Sequence, residues 1–393
     1  MIIKPRIRGF ICTTAHPTGC AALVAEQAAW VGTQGRIAGV PPHVLVIGGS
    51  GGYGLASRIV AAFGAGARTL CLSFEKEPEA EKTATAGWYN NAAFDRLAAA
   101  QGLYARSLNA DAFSDATKRT VADIIRTDLG GRLDLLVYSL ASPVRTDPET
   151  GVQYRSAIKP IGEPVHIKSL NVDKGIVHEV DLAPASDDEI QSTIKVMGGE
   201  DWERWVAFLQ KDGLLARGFK TVSYTYIGSD LTWPIYWEGT LGKAKEDLDR
   251  AADALRSALA PLDGDARVAV LKAVVTQASS AIPAVTLYIA LLFEVMKATG
   301  THEDCLRHIH RLFRRWLDGA DGGMSVDAKG RLRVDDLELR DDVQAEVRRR
   351  WAAVSTETLP ELGDLDGYRQ DFLKIFGFGV DGVDYDRDVS PLV

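Results

Sequence analysis

The sequence has 393 residues, of which 46 % are hydrophobic, and its 45 Lys and Arg against 53 Asp and Glu give a formal net charge of −8. The length allows a large buried core, and the modest acidity gives no electrostatic reason to expect a nucleic acid or an anionic membrane as partner. The first residues lack the apolar segment of a signal peptide, and the longest apolar run (281–293) is too short to span a bilayer. Four cysteines without framework spacing are typical of reduced thiols in a cytoplasmic protein.

Two groups of histidine and cysteine residues could suggest metal ligands. One recurs every fourth residue at Cys12, His16 and Cys20, and the other occupies 302–310. Neither contains the paired cysteines or the second half-site that a zinc centre needs. We therefore expect no metal site.

Strand patterns alternate with helical patterns from residue 43 onwards. Apolar strand patterns cover 43–49, 68–76, 103–111 and 133–142, and helical stretches separate them. Strands that alternate with helices of ten or more residues indicate βαβ units. The sequence therefore predicts an α/β protein with a Rossmann-type doubly wound parallel sheet and flanking helices.

A glycine-rich turn follows the first predicted strand. In GGSGGYG, Gly48, Gly52 and Gly54 fit the G-x-x-x-G-x-G spacing of short-chain dehydrogenases. Glycines at these positions allow a tight turn and a close approach of the backbone to a pyrophosphate, which the following helix N-terminus attracts. We predict that this turn binds a nicotinamide dinucleotide.

The ends of the next predicted strands supply further cofactor contacts. Glu75, 21 residues after Gly54, can hydrogen-bond both ribose hydroxyls of NAD and would repel a 2′-phosphate, although the neighbouring Lys76 softens that repulsion. Phe74 can offer its ring to the adenine. The remaining candidates lie at the carboxyl ends of the third and fourth strands, where cofactors bind in such sheets. They are Asp111 and Ala112 at the adenine edge, and Ser139 and Leu140 beside the nicotinamide half.

The alternation is interrupted between residues 143 and 195. This stretch is rich in prolines, turns and short β-like pieces, and we interpret it as a β-rich insertion over the carboxyl edge of the sheet. The alternation then resumes with strand patterns at 219–228 and 267–276. We therefore predict one α/β domain over 1–393, in which 43–142 and 196–280 are the two halves of the NAD-binding core. Residues 1–42 form an N-terminal extension, and 281–393 form a helical substrate-side and C-terminal extension whose first helix is opened by Pro283.

The second half of the core contains WPIYWEGTLGKAK, with one tyrosine ahead of two lysines. A tyrosine hydroxyl can donate a proton to an enolate oxygen, and a nearby lysine can favour the phenolate and bind the nicotinamide ribose. Thr240 is a candidate N-cap for a helix in which Lys245 lies about 40° from Leu241 on the apolar face and Lys243 about 200° away. The apolar stripe consists of Leu241, Ala244, Leu248, Ala251, Ala252, Leu255, Ala258 and Leu259. Lys245 is therefore predicted to face the cofactor and Lys243 the solvent.

Two tyrosines are candidates for the catalytic role. Tyr236 must come from the loop before the helix, because it cannot share the face of Lys245 on one continuous helix. Tyr226, at the end of the preceding strand, lies in the same neighbourhood. The residues alone leave open whether these tyrosines are catalytic or only pack in the core.

Several long strings are similar to those of FabV-type enoyl-acyl-carrier-protein reductases and the related trans-2-enoyl-CoA reductases. They are MIIKPRIRGFICTTAHPTGC, GGSGGYGLASR, SLASPVR, VMGGEDWERW, IYWEGTLGKAK, KAVVTQASSAIP and FGFGVDGVDYD, and they extend from end to end of the chain. The resemblance implies an enzyme, typically monomeric, that uses NADH to saturate trans-2-enoyl thioesters of acyl carrier protein or coenzyme A in fatty acid biosynthesis.

The resemblance also implies roles for individual residues. Through the Tyr-x8-Lys motif of the family, Tyr236 would be the proton donor and Lys245 would bind the cofactor, while Tyr226 matches a second, substrate-contacting tyrosine. Glu75 matches the residue that discriminates NADH from NADPH. The other positions that match NAD contacts are Gly48, Gly49, Ser50, Gly51, Gly52, Tyr53, Phe74, Asp111, Ala112, Ser139 and Leu140, with Val274, Val275 and Thr276 on the nicotinamide side.

Two other functions compete with this interpretation. A short-chain alcohol or ketone dehydrogenase would use the same cofactor, but it would need a lysine four residues after the tyrosine, and position 240 is a threonine. A non-catalytic NAD-binding protein would not need the intact set of Tyr226, Tyr236 and Lys245.

Overall fold

The computed structural model describes residues 1–9 and 11–392. Its N-terminal part consists of a short hairpin and a long helix: β1 (Ile7–Arg8), β2 (Ile11–Cys12) and α1 (Pro17–Thr33). The helix begins at a proline, whose fixed φ suits the first turn, and His16 caps it by accepting a hydrogen bond from the Gly19 N–H at Nδ1 (3.1 Å).

The region after this helix alternates strands with helices, as the sequence pattern predicts. Its elements are β3 (His43–Ile47), α2 (Gly52–Ala65), β4 (Arg68–Ser73), α3 (Ala86–Ala100), β5 (Ala105–Asn109), α4 (Asp115–Asp128) and β6 (Leu133–Tyr138). Strands β3 and β6 are almost wholly buried, because helices cover both faces of the sheet. This explains why both strands are mostly apolar without alternation; their two polar residues, His43 and Asp134, pair with each other (2.9 Å).

Residues 143–195 form two antiparallel hairpins and most of a helix. The elements are β7 (Val144–Thr146), β8 (Gln153–Arg155), β9 (Val165–Asn171), β10 (Ile176–Leu182) and α5 (Asp187–Met197). The sequence pattern gives little helix signal here, and helix α5 was not predicted. A capping box between Ser186 and Glu189 starts α5. The insertion contacts the start of the next core helix, where the Lys159 carbonyl accepts a hydrogen bond from the Thr240 N–H (3.0 Å).

The second group of core elements is α6 (Glu200–Lys211), β11 (Leu215–Thr225), α7 (Thr240–Leu259) and β12 (Asp265–Val270). The prediction of a strand over 267–276 is wrong at its carboxyl end. The backbone leaves the sheet after Val270, and residues 271–276 continue outside any strand.

The C-terminal part is mainly helical, as predicted. It consists of α8 (Val285–Ala298), α9 (Cys305–Trp316), β13 (Leu332–Arg333), α10 (Asp341–Ala353), α11 (Leu359–Leu362) and α12 (Leu365–Ile375). Pro283 lies just before α8, which is buried on nearly all sides. Strand β13, which no sequence pattern indicated, adds to the edge of the main sheet beside β12.

Seven parallel strands form that main sheet, in the order β13-β12-β11-β6-β3-β4-β5. The order reverses between β3 and β6, and in open α/β sheets ligands bind at the carboxyl ends of the strands at this switch point. The prediction of a Rossmann-type parallel sheet with flanking helices is confirmed. The division into the five segments defined above stays a prediction.

Residues 1–9 and 11–392 contain neither a membrane-spanning helix nor a metal-binding cluster. No helix in these ranges is long and apolar enough to cross a membrane. In the same ranges, no group of three or more His, Cys, Asp or Glu side chains has an arrangement that could hold a metal ion.

Candidate active site

The glycine turn lies at the switch point of the sheet. Gly48 follows β3 with φ +81°, and a Cβ atom there would lie 2.3 Å from the Ser139 carbonyl oxygen at the end of β6. At Gly54 a Cβ atom would lie 2.0 Å from the Gly48 carbonyl oxygen. The turn therefore packs so closely that these two positions exclude any larger residue.

The other face of the turn is open. Helix α2 begins at Gly52, and its N-cap Gly51 offers no side-chain acceptor, so the N–H groups of the first turn have no side-chain cap. A Cβ atom at Gly51 would meet no atom within 4 Å. Open space in front of uncapped N–H donors suits a pyrophosphate. Gly49 lies behind the turn, where a Cβ atom would approach the Cys71 sulfur to 2.8 Å.

Glu75 is held in a fixed orientation beside this turn. Ser50 Oγ donates to Glu75 Oε1 (2.6 Å), and Thr85 Oγ1 donates to Oε2. The backbone of Glu75 is paired with the Asn109 side chain, which accepts from its N–H (2.7 Å) and donates to its carbonyl (3.0 Å). Each carboxylate oxygen keeps a lone pair for a ribose hydroxyl. Phe74 is 78 % exposed, so its ring is accessible to an adenine. Thr85 and Asn109 were not among the sequence-based candidates.

Replacing Glu75 by glutamine is expected to relax the preference for NADH over NADPH by about tenfold. The substitution removes the negative charge that opposes the 2′-phosphate and weakens the hydrogen bonds to the NADH ribose. The dissociation constants of both cofactors, measured by fluorescence titration, test this. Glu77→Gln, which removes an exposed carboxylate two residues away, should leave both constants unchanged. An unaltered ratio in Glu75→Gln would contradict the role of Glu75.

The predicted adenine-side and nicotinamide-side residues lie at neighbouring strand ends. Asp111 and Ala112 follow β5, and Ser139 and Leu140 follow β6. Two hydrogen bonds fix the Ala112 carbonyl, which accepts from Lys118 Nζ (3.1 Å) and from Trp205 Nε1 (3.1 Å).

The segment that follows β12 lies opposite the glycine turn. A Cβ atom at Gly52 would be 3.6 Å from Thr276 Cγ2, and Val274 and Val275 are buried behind it. The Tyr53 hydroxyl donates to the Lys272 carbonyl (2.8 Å). Tyr53 thereby connects the glycine turn to the 271–276 segment.

The two candidate tyrosines meet in the loop between β11 and α7. Tyr226 and Tyr236 pack edge to face, with ring centroids 5.0 Å apart and an interplanar angle of 83°. Tyr236 is only 8 % exposed, and its hydroxyl has no hydrogen-bond partner among the residues that the structure describes. Burial raises the pKa of Tyr236, so the side chain is a neutral phenol with a proton to give.

Tyr236 is attached to the helix that carries both lysines. The Gly242 N–H, in the first turn of α7, donates to the Tyr236 carbonyl (2.9 Å). A Cβ atom at Gly242 would lie 1.7 Å from the Trp237 carbonyl oxygen. The loop can therefore pack this closely against the start of α7 only because position 242 is a glycine. The predicted N-cap is wrong by one residue. Gly239 is the N-cap, and Thr240, the first helical residue, turns its hydroxyl towards the Ala157 carbonyl of the insertion.

The two lysines of α7 lie in different surroundings, as the helix geometry predicts. The side chain of Lys243 is 48 % exposed and forms an ion pair with Glu246 (2.9 Å). Lys245 is partly buried without an ion-pair partner in the described part of the chain, and burial lowers its pKa to about 8. The apolar stripe behind it is buried except at Ala258. At about 100° per residue Ala258 lies about 100° away from Leu259, which is buried, so it projects off the stripe into solvent.

Three family models together match nearly the whole chain. They describe the NAD(P)H-binding domain of trans-2-enoyl-CoA reductase (residues 2–80), the catalytic region of trans-2-enoyl-CoA reductase (82–317) and an enoyl reductase FAD-binding domain (326–389).

Known proteins are similar over the same extent. An enoyl-[acyl-carrier-protein] reductase [NADH] of Vibrio vulnificus is 56 % identical over 392 residues, which cover 100 % of this chain and 98 % of that protein. The trans-2-enoyl-CoA reductase of Treponema denticola, solved in complex with NAD, has a TM-score of 0.94 at 45 % identity and covers 99 % of this chain and 98 % of its own. The corresponding enzyme of Clostridium acetobutulicum, solved with NADH, has a TM-score of 0.96 at 40 % identity and covers 100 % and 98 %.

The segment matched to an FAD-binding domain does not have the features of a dinucleotide site. Its strand, β13, is two residues long and continues into Val334 and Asp335 without a glycine turn, and helices α10 to α12 follow. The glycine turn with its uncapped helix does fit NAD.

Proposed function

The chain belongs to the family of trans-2-enoyl-CoA reductases and NADH-dependent enoyl-acyl-carrier-protein reductases, and from this premise we propose how its residues reduce an enoyl thioester. The enzyme is an NADH-dependent oxidoreductase that converts the carbon–carbon double bond of an enoyl thioester into a single bond. Neither an alcohol dehydrogenase nor a non-catalytic NAD-binding protein agrees with this family membership.

We assign the cofactor to the carboxyl edge of the sheet, in front of the glycine turn and beside the 271–276 segment. We assign the pyrophosphate to residues 48–53, the adenosine half to Phe74, Glu75, Asp111 and Ala112, and the nicotinamide half to Ser139, Leu140 and residues 274–276. The support is the uncapped start of α2, the oriented carboxylate of Glu75 and the position of Thr276 opposite Gly52. When bound, NADH supplies the hydride that adds to Cβ of the substrate.

Tyr236 handles the negative charge that develops on the thioester oxygen. As a buried phenol whose hydroxyl lacks a partner among the described residues, it can donate first a hydrogen bond and then a proton to the enolate. The ammonium group of Lys245 holds the cofactor ribose and favours the phenolate that this transfer leaves. Tyr226 contacts the substrate beside Tyr236. The edge-to-face pairing of the two tyrosines is the observation that carries this assignment.

The function is tested by turnover with purified protein. NADH absorbance should decrease when crotonyl-CoA or a crotonyl thioester of acyl carrier protein is added, and a series over acyl length on both carriers identifies the physiological one. Inactivity on both carriers at every length would refute the function.

The activity is expected to fall as the pH rises above about 8. Lys245 is charged below its pKa of about 8 and neutral above it, so the value of kcat/KM, which reports on the free enzyme, should decrease through that range. Lys245→Arg keeps its charge, so this decrease should shift to higher pH even where the absolute rate is lower. An identical alkaline decrease in both proteins would contradict the assignment.

The enzyme is further proposed to act as a monomer in the cytoplasm on a soluble carrier thioester. The family resemblance and the four thiols without a disulfide support this. Light scattering of the purified protein tests the assembly. A monomer has a mass of 42.6 kDa, and a stable dimer would have twice that mass.

A further inference from the structure

A buried carboxylate of the C-terminal segment reaches the tyrosine pair. Glu338 lies between β13 and α10 and is 0 % exposed. Its Oε1 accepts hydrogen bonds from the hydroxyls of Tyr226 (3.1 Å) and Tyr288 (2.8 Å), and its Oε2 accepts one from the Ala273 N–H (2.6 Å). One side chain thus joins the residue after β11, helix α8 and the segment after β12.

The surrounding groups determine the direction of these hydrogen bonds. The Ala273 N–H can only donate. The Tyr288 hydroxyl accepts from Gln344 Nε2 (3.0 Å), which leaves its own hydrogen for Glu338. Gln344 Nε2 also donates to the Glu338 carbonyl (2.8 Å) and so fixes the backbone at this position. The carboxylate therefore meets Tyr226 as an acceptor, and the Tyr226 hydrogen points towards it.

The charges in this region favour the same arrangement. Burial raises the pKa of Glu338, while the Lys272 ammonium and the hydrogen bonds from Ala273 and Tyr288 favour its ionised form. Burial and the nearby Glu338 carboxylate raise the pKa of Tyr226, which therefore stays protonated. Three donors around a buried carboxylate offset part of the loss of its hydration.

Among residues 1–9 and 11–392, no side chain or backbone group bonds to the Tyr236 hydroxyl in this way, although the Tyr236 ring is 5.0 Å from that of Tyr226. We propose that Glu338 is a positioning residue that engages the Tyr226 hydroxyl and thereby leaves the Tyr236 hydroxyl as the free donor at the substrate oxygen. The C-terminal segment then completes the active site through this side chain. This inference rests on the proposed function, because it concerns the tyrosines of that site.

A double-mutant cycle tests whether Glu338 acts through Tyr226. Glu338→Gln is introduced into the wild-type chain and into Tyr226→Phe, and kcat is measured with NADH and crotonyl-CoA. Glu338→Gln should lower kcat about tenfold in the wild-type chain and less than about twofold in Tyr226→Phe, because the second background has no hydroxyl to position. An equal loss in both backgrounds would overturn the proposal, since a merely structural role affects them alike.

Asp335→Asn is the matched control. It removes another buried carboxylate of the same segment, whose partner is Arg333 (2.6 Å) and not a tyrosine. Asp335→Asn should change kcat by less than about twofold, relative to each background without this substitution. A loss as large as that of Glu338→Gln would overturn the proposal, because removal of any buried charge would then be sufficient.

A second substitution covers the case in which Glu338→Gln does not fold. Glu338→Asp keeps the charge but moves it away from the Tyr226 hydroxyl by the length of one methylene group. The loss of kcat should again be larger in the wild-type chain than in Tyr226→Phe. An additive cycle with the aspartate would overturn the assignment. If wild-type turnover is normal and the cycle is additive, only the role of Glu338 is refuted. A wild-type protein without turnover would refute the proposed function and this inference together.

Discussion

Replacement of Tyr236 by phenylalanine is expected to lower kcat by about 10²- to 10⁴-fold, the range in which a general acid contributes. The substitution removes the only atom of the side chain that can give a proton to the enolate. The Tyr236 hydroxyl makes no hydrogen bond to another described residue, so the thermal stability and the NADH affinity should stay close to those of the wild-type enzyme. Steady-state kinetics, thermal unfolding and cofactor titration measure the three quantities.

Tyr224→Phe is a suitable comparison. Tyr224 lies two residues before Tyr226, but its hydroxyl is directed to Ser57 Oγ (2.6 Å) and not towards Tyr236. Its kcat should stay within about threefold of the wild-type value. Near-normal turnover by Tyr236→Phe would remove the proton-donor role. A loss explained by weaker NADH binding would assign Tyr236 to the cofactor site instead.

Replacement of Lys245 by methionine is expected to lower kcat/KM by about 100-fold, whereas the same change at Lys243 should alter it by less than about twofold. Of the two lysines, Lys245 is partly buried and has no ion-pair partner among the residues that the structure describes, so its charge is available to the cofactor ribose and to the tyrosine phenolate. Lys243 is exposed and paired with Glu246, so the loss of its charge should have little effect on kcat/KM.

The two methionine variants control for each other, because they lie on the same helix, two residues apart. Both should unfold at nearly the same temperature as the wild-type enzyme. Equal damage from Lys243→Met and Lys245→Met would show that the facing of the two side chains, inferred from helix geometry, does not determine their roles.

The sheet could be predicted from the sequence because its inner strands are buried on both faces. Continuous apolar runs such as residues 43–47, separated by helices of regular length, allow few other folds. Strand β13 could not be predicted, because two residues carry no periodicity and their pairing with β12 is a tertiary contact. Helix α5 was missed although Ser186 and Glu189 are spaced as a capping box, a local signal that could have been found.

The local parts of the site could be predicted, and the supporting residues could not. The glycine turn and the different facing of Lys243 and Lys245 are recognisable because each depends on one turn or one helix. Glu75 is recognisable because it follows the end of the next strand, and Tyr236 because it lies in the loop that leads into α7. Glu338 is separated from Tyr226 by 112 positions, so only the folded chain brings them together. Thr85 and Asn109, which orient Glu75, have side chains that are equally common in turns.

The most direct test of hydride transfer to Cβ follows the hydrogen atom itself. Wild-type enzyme is given NADH carrying deuterium at the transferable position of C4, together with crotonyl-CoA, and the product is analysed by mass spectrometry and NMR. We predict butyryl-CoA with one deuterium at C3 and a solvent proton at C2, and the same label position in the residual product of Tyr236→Phe. Oxidation of NADH without deuterium at C3, or a product reduced at the carbonyl, would contradict the central claim.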